Sequence, residues 1–335
     1  MHDNLKIGVF GVGHLGKIHL KCLQLLPNTF DIIGFYDTDE MQAKQVSETF
    51  GIKAFSNVQD LIAAIDVADI VVPTSFHYDI AKQVLEAGKH LFIEKPVTHS
   101  LIEAKELVEL TEQQQVKAQV GHVERFNPAL LALGDQILSP MFIEGHRLAH
   151  FNPRGTDVSV VLDLMIHDLD ILLHLVDSPI AQVSASGVAV VSEQVDIANA
   201  RIEFENGCVA NLTASRMSLK QMRKMRLFQP DAYVSLDFLD KKAQIVQITD
   251  EAQHNSFGSL PTAKGERWIS LKEPDIEPTN AIKMELAAFA QSIQNDTTPT
   301  VSIKDGYRAL ELAHRIIKDI QVRRKNALPL LNHGS

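Results

Sequence analysis

The sequence predicts an open, doubly wound parallel α/β domain followed by an α+β domain with a mainly antiparallel sheet. Three observations carry this. Short, continuously apolar runs alternate with helical patterns over roughly the first 120 residues, the mark of a sheet buried on both faces. From about residue 141 the pattern becomes successive β-rich runs separated by turn signals such as Glu205-Asn206-Gly207. A chain of 335 residues is also long enough for two domains. The boundary is placed between residues 122 and 123, giving a nucleotide-binding domain over 1–122 and a substrate-binding and oligomerisation domain over 123–335.

In chain order, a strand at 6–10 runs into Gly11-Val12-Gly13-His14-Leu15-Gly16 and a helix at 17–26. A second strand at 32–36 ends on Asp37, and a helix over 40–50 follows with Thr38 or Asp39 as its cap. A short helix at 60–65 precedes a buried strand at 68–73. The helix at 78–87 is stopped by Gly88. A strand at 90–94, a helix at 101–113 and a strand at 116–120 complete the domain. In the second half, a helix at 162–175 precedes strands at 183–191, 198–204, 209–215, 225–228, 232–238, 243–248 and 268–271. Residues 250–264 are polar and contain Gly, Ser and Pro, so they are expected to form an exposed loop. Helices at 280–293 and 304–322 close the chain.

Bulk properties narrow the function. The composition, 45% hydrophobic and 22% charged, is that of a globular protein, and a net charge of −10 argues against nucleic-acid binding. Two distant cysteines, Cys22 and Cys208, build neither a disulfide framework nor a CxxC metal site. No metal is expected. With no signal peptide and no apolar stretch near the ~20 residues of a membrane span, a cytoplasmic protein without a membrane partner is expected.

The glycine turn carries the first chemistry. Gly11 permits the tight exit from the strand, Gly13 lets the backbone approach a pyrophosphate, and Gly16 lets the helix pack close to the sheet. The helix that begins there points free N–H groups at the phosphates. Asp37, at the tip of the second strand, is placed to accept from ribose hydroxyls and would repel a 2′-phosphate. NAD is therefore favoured over NADP. Val12, His14 and Leu15 join the same turn as cofactor contacts.

Ligands in such sheets sit outside the carboxyl ends of the strands. Glu94-Lys95-Pro96 lies at that edge, where a lysine can stabilise a developing alkoxide; a solvated loop lysine is the plainer reading. Pro73, Thr74 and His77 follow another strand and are candidate cofactor contacts. Gly121-His122-Val123-Glu124-Arg125-Phe126-Asn127-Pro128 offers Arg125 to the cofactor and His122 to the substrate, or else is a junction where Asn127 caps a helix opened by Pro128. In 161–170, Asp163 and His167 form an i,i+4 pair if the segment is helical, suited to a carboxylate-steered general base. Their alternative is a surface pair, with Asp168 and Asp170 as ordinary solvated acids. Arg154 completes the candidate substrate contacts. Lys220, Arg223, Lys224 and Arg226 could hold an anionic substrate group, although a solvated strand face is the stronger reading.

These motifs, in this order, resemble the Gfo/Idh/MocA family of oxidoreductases. The match is carried by Gly11 to Gly16, Asp37, Pro73 with His77, Ala87-Gly88-Lys89-His90, Glu94-Lys95-Pro96, Arg125-Phe126-Asn127-Pro128, Asp163 through Asp170, and 301–312. The resemblance implies a Rossmann domain and a second domain with a large open sheet. It further implies an NAD(P)-dependent dehydrogenase acting on a secondary alcohol of a sugar, sugar nucleotide or cyclitol. Lys95, Asp163 and His167 would be the catalytic set, with His167 as acid/base, Lys95 polarising the reacting oxygen and Asp163 steering His167 and binding substrate. Glu94 would neighbour the cofactor, and the sheet would mediate a homodimer or homotetramer. Departures exist: Val72-Pro73-Thr74 replaces the common Thr-Pro-Asn, and Ser159, Val160 and Met165 stand where glycines often flank the catalytic Asp. The run at 160–168, together with 121–128, resembles the subgroup that includes UDP-N-acetylglucosamine 3-dehydrogenases. A non-catalytic sugar or NAD sensor on the same fold is the alternative, and an enzyme reducing other carbonyl or imine substrates is a second.

Overall fold

The structure, a computed structural model, describes residues 4–134, 138–152, 158–262 and 265–331. Two compact units divide it. The first takes the chain up to Phe126 together with Thr279–Leu310, and the second takes Asn127–Pro278 with the chain from Glu311 onward.

The first unit opens with β1 (Leu5–Phe10), α1 (His14–Gln24), β2 (Phe30–Tyr36), α2 (Glu40–Phe50) and α3 (Val58–Ala64). It continues with β3 (Val67–Ile70), α4 (His77–Glu86), β4 (His90–Glu94), α5 (Leu101–Gln113) and β5 (Ala118–Gly121). The strands are parallel in the order β2-β1-β3-β4-β5. The sheet thus has five strands, and the segment after α2 adds only a single parallel bridge, Phe35 to Ala54. Its strand interiors are mostly apolar, with Ile7, Val9, Phe35, Val67, Phe92 and Val120 buried and Asp69 and Gln119 as buried polar exceptions, as parallel strands covered on both faces require. Local signals set the helix ends. Asp39 accepts from the Gln42 amide at 3.0 Å, Gly51 closes α2 at φ +67°, and Ser100 accepts from the Ile102 amide at 3.2 Å.

The second unit contains the short α6 (Pro128–Leu131), β6 (Phe142–Leu148), a π-helical turn at Val161–Met165 and α7 (Ile166–Leu175). Strands follow in succession: β7 (Ile180–Val188), β8 (Ile197–Phe204), β9 (Val209–Ser215), β10 (Met222–Gln229), β11 (Ala232–Asp237), β12 (Lys242–Thr249), β13 (Ser256–Thr262) and β14 (Gly265–Lys272). They join β6 in one nine-stranded sheet, β13-β14-β12-β11-β10-β6-β9-β8-β7. Every pairing is antiparallel except β6 with β9.

Two expectations are corrected here. Residues 250–264 are not simply a loop: β13 pairs with β14 at the sheet edge, and its mostly exposed side chains, interrupted by Gly258 and Pro261, hide the strand from a reading based on burial. The helix expected at 162–175 begins as a π turn, in which the Ile166 amide reaches the Val161 carbonyl.

The last helices are α8 (Ala281–Gln294) and α9 (Ile303–Leu331). Leu286, Phe289 and Ala290 of α8 enter the core that holds Leu20, Leu23, Val9 and Phe92. The Val120 amide bonds the Val301 carbonyl at 3.0 Å. This apolar face returns α8 to the first unit.

Candidate functional site

At the end of β1, Gly11 sits at φ +91°, a conformation L side chains rarely adopt. A Cβ on Gly16 would fall on the Gly11 carbonyl oxygen, so only glycine fits there. A Cβ on Gly13 would meet nothing within 4 Å, so the backbone there faces open space. Gly13 is also the N-cap of α1, with no side-chain cap and no acidic residue in the first turn. The leading amides of α1 are thereby left available to an anion.

Beyond them lies a cavity of about 540 Å³ lined by Gly11, Gly13, His14, Leu15, Asp37 and Pro73 among others. Asp37 stands at its wall. Its Oδ2 accepts the Val12 amide at 2.8 Å and the Gln42 side-chain amide at 3.1 Å, and its Oδ1 accepts the Asp39 amide at 2.9 Å. These donors fix the carboxylate at the end of β2. A dinucleotide fits this set of residues on two counts: an uncapped helix terminus with an open glycine, and an oriented carboxylate one strand away. His14 and Leu15 line the cavity; the Val12 side chain is buried in the core beneath it.

The other edge residues fall into place by strand order. Pro73 is exposed and caps a turn over Thr74–Phe76. His77 is buried, with Nδ1 3.0 Å from the Pro96 carbonyl and Nε2 2.9 Å from the Val72 carbonyl. Its ring ties the loop after β3 to the loop after β4, and burial pushes its pKa down. Lys95 is half-buried directly after β4, and Glu94 is the buried last residue of that strand. A Cβ on Gly121 would fall 2.5 Å from Glu94 Oε1, so that glycine makes room for the carboxylate. His122 and Arg125 are buried just past β5. Asn127 accepts the Ala129 amide at 3.0 Å and donates to the Phe238 carbonyl at 3.0 Å, the capping role with Pro128 at the first turn.

In the second unit, Asp163 and His167 are half-buried, while Val161, Leu162, Met165 and Ile166 around them are buried. The π turn re-aims this stretch, a common device at functional sites. Asp168 and Asp170 are not solvated acids: both are buried. The Arg147 guanidinium on β6 donates from Nε to the Asp168 oxygens at 3.1 and 3.0 Å and from Nη2 to Oδ1 at 2.8 Å. This bidentate pair pins α7, and with it His167, to the sheet. Within the basic cluster, Lys224 pairs with Asp237 at 3.0 Å and Arg226 with Glu144 at 3.0 Å. Arg154 lies outside the described residues.

Sequence reasoning missed one constellation entirely. His19 of α1, Asp69 of β3, Glu94 of β4 and Glu285 of α8 meet inside the first unit. Only the buried polar residue types at these positions hinted at it, and their partners are far apart in the chain.

Family models bear on the whole arrangement. Residues 5–122 match the oxidoreductase family with an NAD-binding Rossmann fold, and residues 140–229 match the GFO/IDH/MocA C-terminal domain. The UDP-N-acetylglucosamine 3-dehydrogenase of Acidithiobacillus ferrooxidans is 35% identical over 291 residues, covering 87% of this chain and 89% of its own. A solved structure of UDP-N-acetylglucosamine 3-dehydrogenase from that organism superposes with a TM-score of 0.86 at 32% identity, covering 95% of this chain and 98% of that one. The scyllo-inositol 2-dehydrogenase (NAD(+)) of Bacillus subtilis is 29% identical over 333 residues, 93% of each chain. No helix among the described residues is long and apolar enough to cross a membrane. With its NAD-binding Rossmann domain and characteristic C-terminal sheet, the chain belongs to the Gfo/Idh/MocA family of oxidoreductases.

Proposed function

We propose that the protein is an NAD-dependent dehydrogenase of a secondary alcohol on a sugar nucleotide of the UDP-N-acetylglucosamine kind. The coarser class is a dehydrogenase acting on CH–OH groups of sugars or cyclitols. The observation that carries the finer reading is the likeness to UDP-N-acetylglucosamine 3-dehydrogenase along nearly the full length of both chains. The residues support the chemistry. The α1 amides and Gly13 hold the pyrophosphate, and Asp37 receives the ribose hydroxyls, disfavouring a 2′-phosphate. Bound nicotinamide supplies the hydride acceptor or donor. Lys95 donates a hydrogen bond to the reacting oxygen and stabilises its negative charge. His167 takes the hydroxyl proton, and Asp163 steers its ring and binds substrate. His122 and Arg154 complete the substrate contacts; Pro73, Thr74, His77, Glu94 and Arg125 border the cofactor. The large sheet is the assembly surface of a homodimer or homotetramer. The free, buried Cys22 and Cys208 suit a reducing cytoplasm.

The test is to mix the full chain with NAD and, separately, UDP-N-acetylglucosamine, free sugars and inositols, and to follow nicotinamide fluorescence. Reduced cofactor is expected with the nucleotide sugar. Reduction with inositols alone would move the substrate to a cyclitol. Tight NAD binding without turnover of any of them would favour the sensor.

A further inference from the structure

Inside the first unit, four ionisable groups meet with no exposure to speak of. His19 Nδ1 lies 3.0 and 3.2 Å from the two oxygens of Asp69, and Nε2 lies 3.2 Å from Glu94 Oε1. A Glu285 oxygen lies within 4.8 Å of both the His19 nitrogen and the Glu94 oxygen. His19, Asp69 and Glu285 are fully buried and Glu94 is 8% exposed. Among the described residues, neither carboxylate oxygen of Glu285 has a hydrogen-bond partner. The groups facing the cluster are Asp69 from β3, Glu94 from β4, Glu285 from α8, and Cys22 from α1, whose sulfur accepts from Asn280 at 3.3 Å. Gln119 of β5 donates to the Glu285 backbone carbonyl at 2.9 Å.

The geometry dictates where protons sit. Nδ1, held between both Asp69 oxygens, must donate. Nε2 lies 3.2 Å from Glu94 Oε1 without hydrogen-bond geometry; a proton on it makes that contact an ion pair, whereas a lone pair would face the oxygen lone pairs. That leaves one cation for three carboxylates. An ionised, unpartnered carboxylate in a dry core is very costly, so Glu285 is the group that stays neutral. Burial alone would push the His19 pKa down, but Asp69 and then Glu94 overcome it and hold it well above the ordinary value. Burial, then the Glu94 charge, pushes Glu285 up.

We propose that His19 is a positioning residue: as an imidazolium anchored on Asp69 and beside a neutral Glu285, it holds the Glu94 carboxylate and so fixes the strand end from which Lys95 projects. The α1 helix that opens the dinucleotide turn thereby also sets the residue next to Lys95. This rests on the reading of Lys95 as the group at the reacting oxygen.

Three measurements on the full chain test it. Imidazole nitrogen NMR at about pH 8.5, two units above an ordinary histidine, is expected to show one imidazolium, absent in His19→Gln. In His19→Gln, kcat with UDP-N-acetylglucosamine and NAD should fall about tenfold, within what a small misplacement costs, while NAD affinity by fluorescence titration stays within about twofold. Glu285→Gln, whose amide mimics a protonated acid, should keep the imidazolium signal and melt higher than the parent at alkaline pH. A neutral His19 at that pH overturns the proposal. So does a stoichiometric metal that copurifies and is lost in Glu285→Gln, or an equal loss of NAD affinity and turnover in His19→Gln. Should His19→Gln fail to fold, the parent and Glu285→Gln spectra still decide. Absence of NAD binding by the parent would sink the proposed function while leaving the spectra as they are.

Discussion

The two units handle buried charge in opposite ways. In the second, two buried acids each have a permanent cation: Asp168 meets Arg147 bidentately, and Asp196 lies 3.7 Å from Arg216 while accepting the amides of Val190, Val191 and Ser192. In the first, three carboxylates share one imidazole, and Glu285 has no hydrogen-bond partner among the described residues. Guanidinium does not titrate in the working range of a protein, whereas imidazole and carboxylic acid do. The first arrangement therefore depends on pH and the second scarcely does. Fixed pairs suit a sheet whose helix must be held in one place; a titratable set lies beneath the strand end that presents Lys95.

Substitutions at the fixed pair, beside the glycine turn and in the titratable set test this contrast. The largest effect concerns the helix that the Arg147–Asp168 pair holds. His167→Ala should lower turnover by about 10²–10⁴-fold, the usual share of acid/base catalysis, with NAD affinity by titration unchanged. Near-normal turnover would separate α7 from the chemistry. Next, Asp168→Ala should destabilise the fold by about 3–5 kcal/mol, the cost of stranding a buried guanidinium, read by denaturant unfolding. A loss no greater than that of a surface change would show that Arg147 finds water or another acceptor. Then Asp37→Ala should weaken NAD about tenfold more than NADP, an effect on the order of 1.4 kcal/mol, and an unchanged preference would remove Asp37 from cofactor choice.

The smallest effect is the pH dependence itself. Both His19 and Glu285 have folded pKa values raised above their unfolded ones, so the native state binds their protons more tightly. Their contribution is therefore fully present at low pH, below the ordinary carboxylate range for Glu285 and the ordinary imidazole range for His19. It is lost as pH rises through the folded values. The melting temperature should accordingly decline toward alkaline pH, and Glu285→Gln should flatten part of that slope. A parallel decline in the variant would place the titration elsewhere.

The same division marks what could be read from the sequence. In the first unit, signals are local. α2, β4 and α5 run over the residues expected of them, since Asp39, Gly51 and Ser100 cap within a turn of the residues they serve. The glycine turn and Asp37 are legible for the same reason: each is a short segment with its own geometry. In the second unit, β6 carries Glu144, Gly145, His146 and Arg147 in its middle, which obscures its alternating burial, and β13 is an exposed edge strand. The burial of Asp168 depends on Arg147 arriving from a different element, and the meeting of His19 with Glu285 depends on α8 closing over α1. No local pattern reports such encounters, because they are settled by packing between distant segments.

That closing helix has a consequence for how the protein is made. Phe289 packs against Phe92 with ring centroids 6.0 Å apart, and Val301 hydrogen-bonds the last strand of the parallel sheet. The first half of the molecule therefore lacks part of its own interior until the ribosome has passed residue 301. A nascent chain stalled before that point would expose an apolar face, and a fragment ending near Phe126 would be a poor stand-in for the intact nucleotide-binding unit.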